Sequence, residues 1–163
     1  MIANWISTFF GAGYWPKGPG TAGSIAALLI AIACHHFAGF AQIEFLTLAL
    51  LSLAPAMWAA NETARTYAPT NGNTSTNTKI DPQIIVVDEV VGQWLTLAGA
   101  TAYNPKAWLI GLILFRLFDI WKPWPTRRLE HIQPPGAGIV LDDVMAGLYG
   151  AVVLWTLGWF NLY

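Results

Sequence analysis

Charged side chains are scarce in this chain of 163 residues, because Asp, Glu, Lys and Arg together make up only 10% of it. Soluble domains typically carry about 25% charged residues. Apolar residues account for 55% of the chain, and the mean hydropathy is +0.48. This composition argues against an ordinary soluble domain and indicates an integral membrane protein, which we expect to form a single domain over residues 1–163.

Cysteine and clustered positive charge are also lacking. The one cysteine, Cys34, rules out an intrachain disulfide and forms no metal-binding cysteine pattern. The net charge is −1 and no basic tract is present, so we expect no nucleic-acid partner. No Lys or Arg precedes Lys17, and no small-residue cleavage site follows an early apolar stretch, so we expect no secretory signal.

Several phosphate-chemistry motifs are missing as well. The chain has no Cys-x5-Arg loop, no Asp-x-Asp-x-Thr/Val nucleophile motif and no Asp-Gly-x2-Ala-Arg signature of lipid head-group transferases. If the protein cleaves phosphate esters, metal-assisted hydrolysis by water is the simplest remaining mechanism.

Long apolar runs are what the chain does have, and turn residues divide them into five segments. Their approximate limits are 25–37, 42–60, 81–103, 104–122 and 138–160. Asp81-Pro82 and Asn104-Pro105 each predict an N-cap followed by the first helical residue. Residues 1–15 are too short to span and predict an interfacial helix, while the polar residues 61–80 predict a solvent loop. The predicted fold is therefore an all-α polytopic membrane bundle of about five spans.

Basic residues indicate the orientation of this bundle. With a cytoplasmic N-terminus, only Lys106 lies toward the outside, whereas six basic residues lie toward the inside: Lys17, Arg65, Lys79, Lys122, Arg127 and Arg128. The same topology places the acidic pairs and the glycine-rich loop toward the cytoplasmic face.

Two acidic pairs, Asp88-Glu89 and Asp142-Asp143, interrupt the apolar segments. Each acid at a membrane-helix centre costs roughly 2.5–3.5 kcal/mol, so these carboxylates need compensation. Mg²⁺ takes oxygen ligands and is often bound by one or two carboxylates together with a substrate phosphate. We therefore predict that Asp88, Glu89, Asp142 and Asp143 bind Mg²⁺. The alternative is ion pairing with Arg116 and Lys122 that only assembles the bundle.

Arg116, Asp119 and Lys122 follow one another at spacings of three residues, which places successive members on one helix face. In a functional interpretation, Arg116 and Lys122 hold phosphate oxygens, and Asp119 is a ligand, a proton acceptor or a nucleophile. The structural alternatives are a salt bridge between Arg116 and Asp119 and a snorkelling helix end at Lys122.

The glycine-rich loop Gly18-Pro-Gly-Thr-Ala-Gly-Ser24 leads directly into the first apolar segment. Backbone N–H groups at a helix start can bind an anion, although a plain turn uses similar residues. The loop lacks the Gly-Lys-Ser/Thr ending of a P-loop. The candidate substrate-binding residues are Lys17, Gly20, Thr21, Gly23 and Ser24.

Four blocks, taken in order, together resemble the phosphatidylglycerophosphatase A family. They cover nearly the whole chain: Gly11-x-Gly13 with Gly18-Pro-Gly-Thr-x-Gly-Ser24, Ile85-Val-Val-Asp-Glu-Val-Val-Gly92, Phe115-Arg-Leu-Phe-Asp-Ile-Trp-Lys-Pro-Trp-Pro125, and Gly136-Ala-Gly-Ile-Val-Leu-Asp-Asp-Val-Met-Ala-Gly147. Lys17 departs from the pattern, because a small or apolar residue is expected before Gly18.

This resemblance implies an all-α, Mg²⁺-dependent phosphatase of the bacterial inner membrane. It implies hydrolysis of the lipid phosphatidylglycerophosphate to phosphatidylglycerol and inorganic phosphate, at a site that faces the cytoplasm in a multi-pass protein. The oligomeric state stays open. Three alternatives also remain: a phosphatase for another lipid phosphate, a small ion-coupled membrane transporter with acids spread through the membrane depth, and a soluble all-α protein.

Overall fold

The computed structural model describes residues 1–67, 82–129 and 131–163, and all the regular structure within these ranges is helical. A single 3-10 turn, Ala12–Tyr14, follows the first helix. The prediction of an all-α fold is confirmed for these residues. The helices are α1 (Ile2–Ser7), α2 (Pro19–Ala38), α3 (Gln42–Tyr67), α4 (Val87–Leu97), α5 (Pro105–Trp121), α6 (Thr126–Leu129) and α7 (Pro135–Trp159).

Among the described helices, α2, α3 and α7 are long and apolar enough to cross a membrane. They contain 20, 26 and 25 residues. The prediction of five spans was wrong, because α4 has only 11 residues and α5 has 17. At 1.5 Å per residue, α4 rises only about 17 Å, well short of the ~30 Å hydrocarbon core of a bilayer.

The short helix α4 lies at the centre of the bundle, where it packs against α2, α3, α5 and α7. Nine of its 11 residues are buried. The Trp94 side chain donates a hydrogen bond from Nε1 to the Ala27 carbonyl at 3.1 Å. Since protein surrounds α4, its neighbours rather than the bilayer determine its length, and its apolar residues form the core.

Helix α5 presents an uncovered apolar stripe. The stripe consists of four residues at spacings of four, four and three, each more than half exposed: Leu109, Ile113, Leu117 and Ile120. A continuous apolar face of this kind suits contact with lipid. The predicted start of α5 is confirmed, because the Asn104 side chain accepts hydrogen bonds at 3.0 Å from the N–H groups of Lys106 and Ala107.

Helix α4 begins later than predicted, at Val87 instead of the Asp81-Pro82 pair. Asp81, the predicted N-cap, lies outside the described residues. The N–H of Val86 donates to the Ser7 carbonyl at 2.8 Å. This tertiary contact with α1 keeps Val86 from joining the helix, which begins at the next residue. Asp88 and Glu89 therefore lie in the first turn of α4, and a helix N-terminus favours negative charge.

Two glycines make room for the segment that precedes α4. A Cβ on Gly13 would collide with the Ile84 carbonyl oxygen, and a Cβ on Gly23 would lie 2.8 Å from the Val86 side chain. Gly13 and Gly23 thus let the N-terminal region and α2 contact residues 84–86 closely. These contacts fix where α4 begins.

Helix α3 continues past its predicted end, because residues 61–67 are helical and not part of a solvent loop. The remainder of that predicted loop, residues 68–80, lies outside the described part of the chain. Thr63 is buried, and its hydroxyl is 2.7 Å from the hydroxyl of Ser7. Helix α1, which is shorter than the predicted 1–15, therefore packs on α3 while Ile2 and Trp5 remain exposed.

Candidate functional site

The acids on α4 and α7 are brought together by a close helix crossing. A Cβ on Gly147 would lie 2.5 Å from the Gly92 carbonyl oxygen, so only glycine fits at this contact. The Thr96 hydroxyl donates to the carbonyls of Gly92 and Gly147 at 3.0 and 3.2 Å. Asp88 and Asp143 each lie one turn before these glycines, so the crossing sets the separation between the acids.

Asp88, Glu89 and Asp143 form a compact carboxylate cluster. Each offers an oxygen atom, and these atoms lie within 4.8 Å of one another. Within the described part of the chain, the buried Oε2 of Glu89 and Oδ2 of Asp143 have no hydrogen-bond partner. Buried like charges repel one another and lack hydration, and a hard divalent cation with oxygen ligands removes both costs. The donor set therefore fits Mg²⁺.

Asp142, the fourth predicted metal ligand, has a different neighbour. Its Oδ2 is 2.5 Å from the Nζ of Lys122, and the residue is only 4% exposed. Lys122 caps α5 with a φ of +47°, which turns the chain away from the helix axis. The structure thus groups three of the four predicted ligands and places Asp142 against a cation.

Arg116 links α5 to the carboxylate cluster. Its NH1 is 2.6 Å from Oδ2 of Asp119 and 3.8 Å from Oε1 of Glu89. The predicted spacing of three residues does place Arg116 and Asp119 together. All three side chains are largely buried, so the guanidinium lies inside the site and not at its surface.

A cavity of about 330 Å³ opens among these groups, within the range of small-molecule sites. All seven charged residues predicted to be catalytic line it. The lining consists of Gly18, Pro19, Gly20, Gln83, Ile85, Asp88, Glu89, Arg116, Asp119, Lys122, Ile139, Asp142 and Asp143. The cavity lies where α2 and α4 begin and α5 ends.

The glycine-rich loop reaches the cavity only through its first residues. Gly18, Pro19 and Gly20 line it, and Gly18 has a φ of +69° as the N-cap of α2. The N–H of Ala22 already donates to the Gly18 carbonyl at 3.1 Å. Because later N–H groups are used within the helix, the N–H groups of Gly20 and Thr21 are those left at its start.

The other predicted substrate-binding residues are not brought into the cavity. Lys17 and Thr21 have exposed side chains, and neither is among the lining residues. Gly23 faces Val86, and the buried Ser24 hydroxyl donates to the Gly20 carbonyl at 2.9 Å. Gly23 and Ser24 thus have visible roles in packing α2, and their role in substrate binding remains a prediction.

Gln83, Ile85 and Ile139 line the cavity without having been singled out in the sequence. Gln83 lies only five residues before Asp88, but a helix that begins at Asp81 would have placed it on another surface. Its position follows from the non-helical chain before α4, which the Val86 to Ser7 hydrogen bond holds in place.

The profile of one protein family, phosphatidylglycerophosphatase A, matches residues 5–158 and therefore nearly the whole chain. The chain belongs to this family. It is accordingly an enzyme, a phosphatase of the phosphatidylglycerophosphatase A family. Its three long apolar helices agree with a membrane protein.

Three bacterial relatives of this family member cover most of its length. A protein of Bacteroides thetaiotaomicron, named "Putative phosphatidylinositol-3-phosphatase", is 35% identical over 161 residues, 94% of each chain. The phosphatidylglycerophosphatase A of Escherichia coli K12 is 32% identical, and the match covers 94% of this chain and 81% of the E. coli protein. The phosphatidylglycerophosphatase A of Haemophilus influenzae is 30% identical, over 96% of this chain and 89% of the relative. No solved structure matches this chain.

Proposed function

We propose that this protein hydrolyses phosphatidylglycerophosphate to phosphatidylglycerol and inorganic phosphate. The observation that carries the proposal is the meeting of Asp88, Glu89 and Asp143 with Arg116 and Lys122 around one cavity. A phosphate monoester is a compact dianion, so it needs positive charge on several sides. Two basic side chains beside a carboxylate cluster that fits Mg²⁺ provide this arrangement. Two of the relatives carry the name of this activity.

The carboxylate cluster is the proposed Mg²⁺ site. The ion would be held by Asp88, Glu89 and Asp143. Asp142 would lie beside this site and remain paired with Lys122. When bound, Mg²⁺ supplies positive charge for the phosphate and makes a neighbouring water easier to deprotonate.

The remaining charged groups would bind and orient the phosphate. Arg116 and Lys122 would hold its oxygens, together with the N–H groups at the start of α2, as charge redistributes during reaction. Asp119, 2.6 Å from Arg116, orients the guanidinium. Asp119 or Glu89 would accept the proton of the attacking water. Water adds to phosphorus, the bond from phosphorus to the glycerol oxygen breaks, and that oxygen takes up a proton.

The location of the cavity supports a lipid substrate. The exposed side chains of Leu117 and Ile120 on α5 lie beside Arg116 and Lys122 in sequence, so a lipid-facing surface leads to the cavity. Acyl chains could remain in the bilayer while the head group enters. We place this end at the cytoplasmic face of the bacterial inner membrane, because basic residues predominate there.

The distribution of acids favours an enzyme over a transporter. Of the seven acidic residues that the structure describes, five line the cavity, and Glu44 lies in the first turn of α3 at the opposite end of the bundle. A permeation path would need acids through the membrane depth. A phosphatase for another lipid phosphate is the closer competitor, since one relative is named for phosphatidylinositol 3-phosphate.

Phosphate release by the purified protein in detergent tests the proposal. Phosphatidylglycerophosphate, phosphatidic acid and phosphatidylinositol 3-phosphate would be compared at equal surface concentration. We expect the highest kcat/KM with phosphatidylglycerophosphate and a loss of at least 100-fold in Asp119→Asn. The matched control is Glu62→Gln, since Glu62 pairs with Arg65 at 3.3 Å outside the cavity. Preference for another lipid would overturn the substrate assignment, and no release from any of the three would overturn the activity.

A further inference from the structure

Gln93 is the most conspicuous buried polar side chain that the proposed mechanism does not use. Its residue is completely buried, and neither Nε2 nor Oε1 has a hydrogen-bond partner among the described residues. Leaving a buried polar group unsatisfied costs roughly 1–3 kcal/mol. An apolar residue of similar size would avoid this cost, so the amide requires an explanation.

Gln93 lies one helical turn after Glu89 on α4. Gln93 follows Glu89 by four residues on α4, which separates the two side chains by about 40° around the helix. Side chains tilt toward the N-terminus of their helix, so Gln93 covers the surface at the level of Glu89. Glu89 itself lines the cavity.

Glu89 has a complementary unsatisfied atom. Its Oε1 is near Arg116, whereas its buried Oε2 has no hydrogen-bond partner in the described ranges. The Nε2 of Gln93 is a donor and this oxygen is an acceptor. One hydrogen bond between neighbouring turns would therefore satisfy two buried atoms.

We propose that Gln93 is a positioning residue of the ion site: Nε2 of Gln93 and Oε2 of Glu89 are both without a partner in the part of the chain that the structure describes, and a rotamer change on ion binding lets Nε2 donate to Oε2. This bond fixes the rotation of the Glu89 carboxylate and hence the direction of its ligand oxygen. The inference rests on the proposed function, because it requires an ion at Asp88, Glu89 and Asp143. Groups that orient metal ligands in this way typically change metal affinity by 10–100-fold.

Mn²⁺ binding to the purified protein without substrate, followed by electron paramagnetic resonance, tests this role. Gln93→Met keeps an unbranched side chain of similar length and removes the donor. We expect its Kd for Mn²⁺ to rise at least 10-fold and its half-saturating Mg²⁺ concentration in phosphate release to rise in parallel. The KM for the lipid at saturating Mg²⁺ should change less than threefold, and the metal-free protein should be no less stable to heat.

Gln42→Met is the matched control, since Gln42 donates from Nε2 to the Ala100 carbonyl at 2.7 Å at the other end of the bundle. It should lose stability and keep its Mn²⁺ affinity. If Gln93→Met does not fold, Gln93→Leu takes its place. An unchanged Mn²⁺ affinity in the folded variant overturns the role of Gln93 but leaves the ion site standing. A wild-type protein that binds no Mn²⁺ overturns the ion site itself, so the two failures are distinguishable.

Discussion

Gly20 at the start of α2 lies directly against the carboxylate of Glu89 on α4. A Cβ at Gly20 would overlap Oε1 of Glu89 and lie 3.2 Å from NH1 of Arg116. Three helices therefore meet at this point, and the absence of one side chain leaves the space that Glu89 occupies. The glycine-rich loop thus contributes to the site by its shape.

Gly20→Ala should reduce phosphate release at least 10-fold, because Glu89 must move away from Arg116 to admit the methyl group. Stability to heat should change little, since alanine is a good helix former in the first turn of α2. Gly23→Ala is the comparison, because its Cβ would press on Val86 instead of an acid and should lower the melting temperature. Wild-type turnover in Gly20→Ala would show that the position of Glu89 is unimportant.

Gly147→Ala should separate α4 from α7. The added methyl group meets the Gly92 backbone, which cannot move aside, and overpacking of this kind typically costs about 1–3 kcal/mol. We expect a lower melting temperature together with weaker Mg²⁺ activation, because Asp143 moves away from Asp88. At Gly111 a Cβ would meet side-chain methyl groups, the nearest being the end of Leu97 at 3.0 Å, so Gly111→Ala should be mild. Equal effects of the two changes would contradict the close crossing.

Lys122→Met should leave the buried carboxylate of Asp142 without its cation. Breaking a buried pair costs roughly 3–5 kcal/mol, and we expect the lower end of this range because about a fifth of the Lys122 side chain is exposed. The double variant Lys122→Met/Asp142→Asn should recover much of that stability in denaturant or heat unfolding, but not the activity. A double variant no more stable than Lys122→Met would show that the two residues are not energetically coupled.

The proposed orientation predicts which loops can be labelled from each side of the membrane. In a Cys34→Ser background, a cysteine at the exposed position Lys17 should react with an impermeant maleimide only in inverted inner-membrane vesicles. A cysteine at Lys106, at the start of α5, should react from the outside of intact spheroplasts. The reverse pattern would place the cavity on the outer side.

Local sequence signals predicted the elements whose ends depend on local chemistry. Asn104-Pro105 begins α5 as expected, because the cap involves only neighbouring residues. The grouping of acidic and basic residues at one end of the bundle was also predictable. Successive predicted segments run in opposite directions, so the order of the segments determines which helix ends lie on the same side. The chemical roles of these residues were not visible in the structure and remain predictions.

Features that depend on tertiary contacts could not be predicted in this way. The start of α4 is set by a hydrogen bond between Val86 and Ser7, residues 79 positions apart, and no local pattern encodes it. The predicted segment 81–103 is long enough for a membrane span, yet the helix formed there is short because other helices surround it. Gln83 and Gln93 became candidates only when their positions relative to the acids were known.

The central claim is that Asp88, Glu89 and Asp143 form one divalent-cation site required for phosphate release. The most direct test is phosphate release from phosphatidylglycerophosphate by chelator-treated protein to which Mg²⁺ is added back, with Asp143→Asn beside the Glu62→Gln control. We predict that wild type and Glu62→Gln lose activity with chelator and regain it with Mg²⁺, while Asp143→Asn stays at least 100-fold lower at any Mg²⁺ concentration. Full activity in chelator, or a normal Mg²⁺ response in folded Asp143→Asn, would contradict the claim.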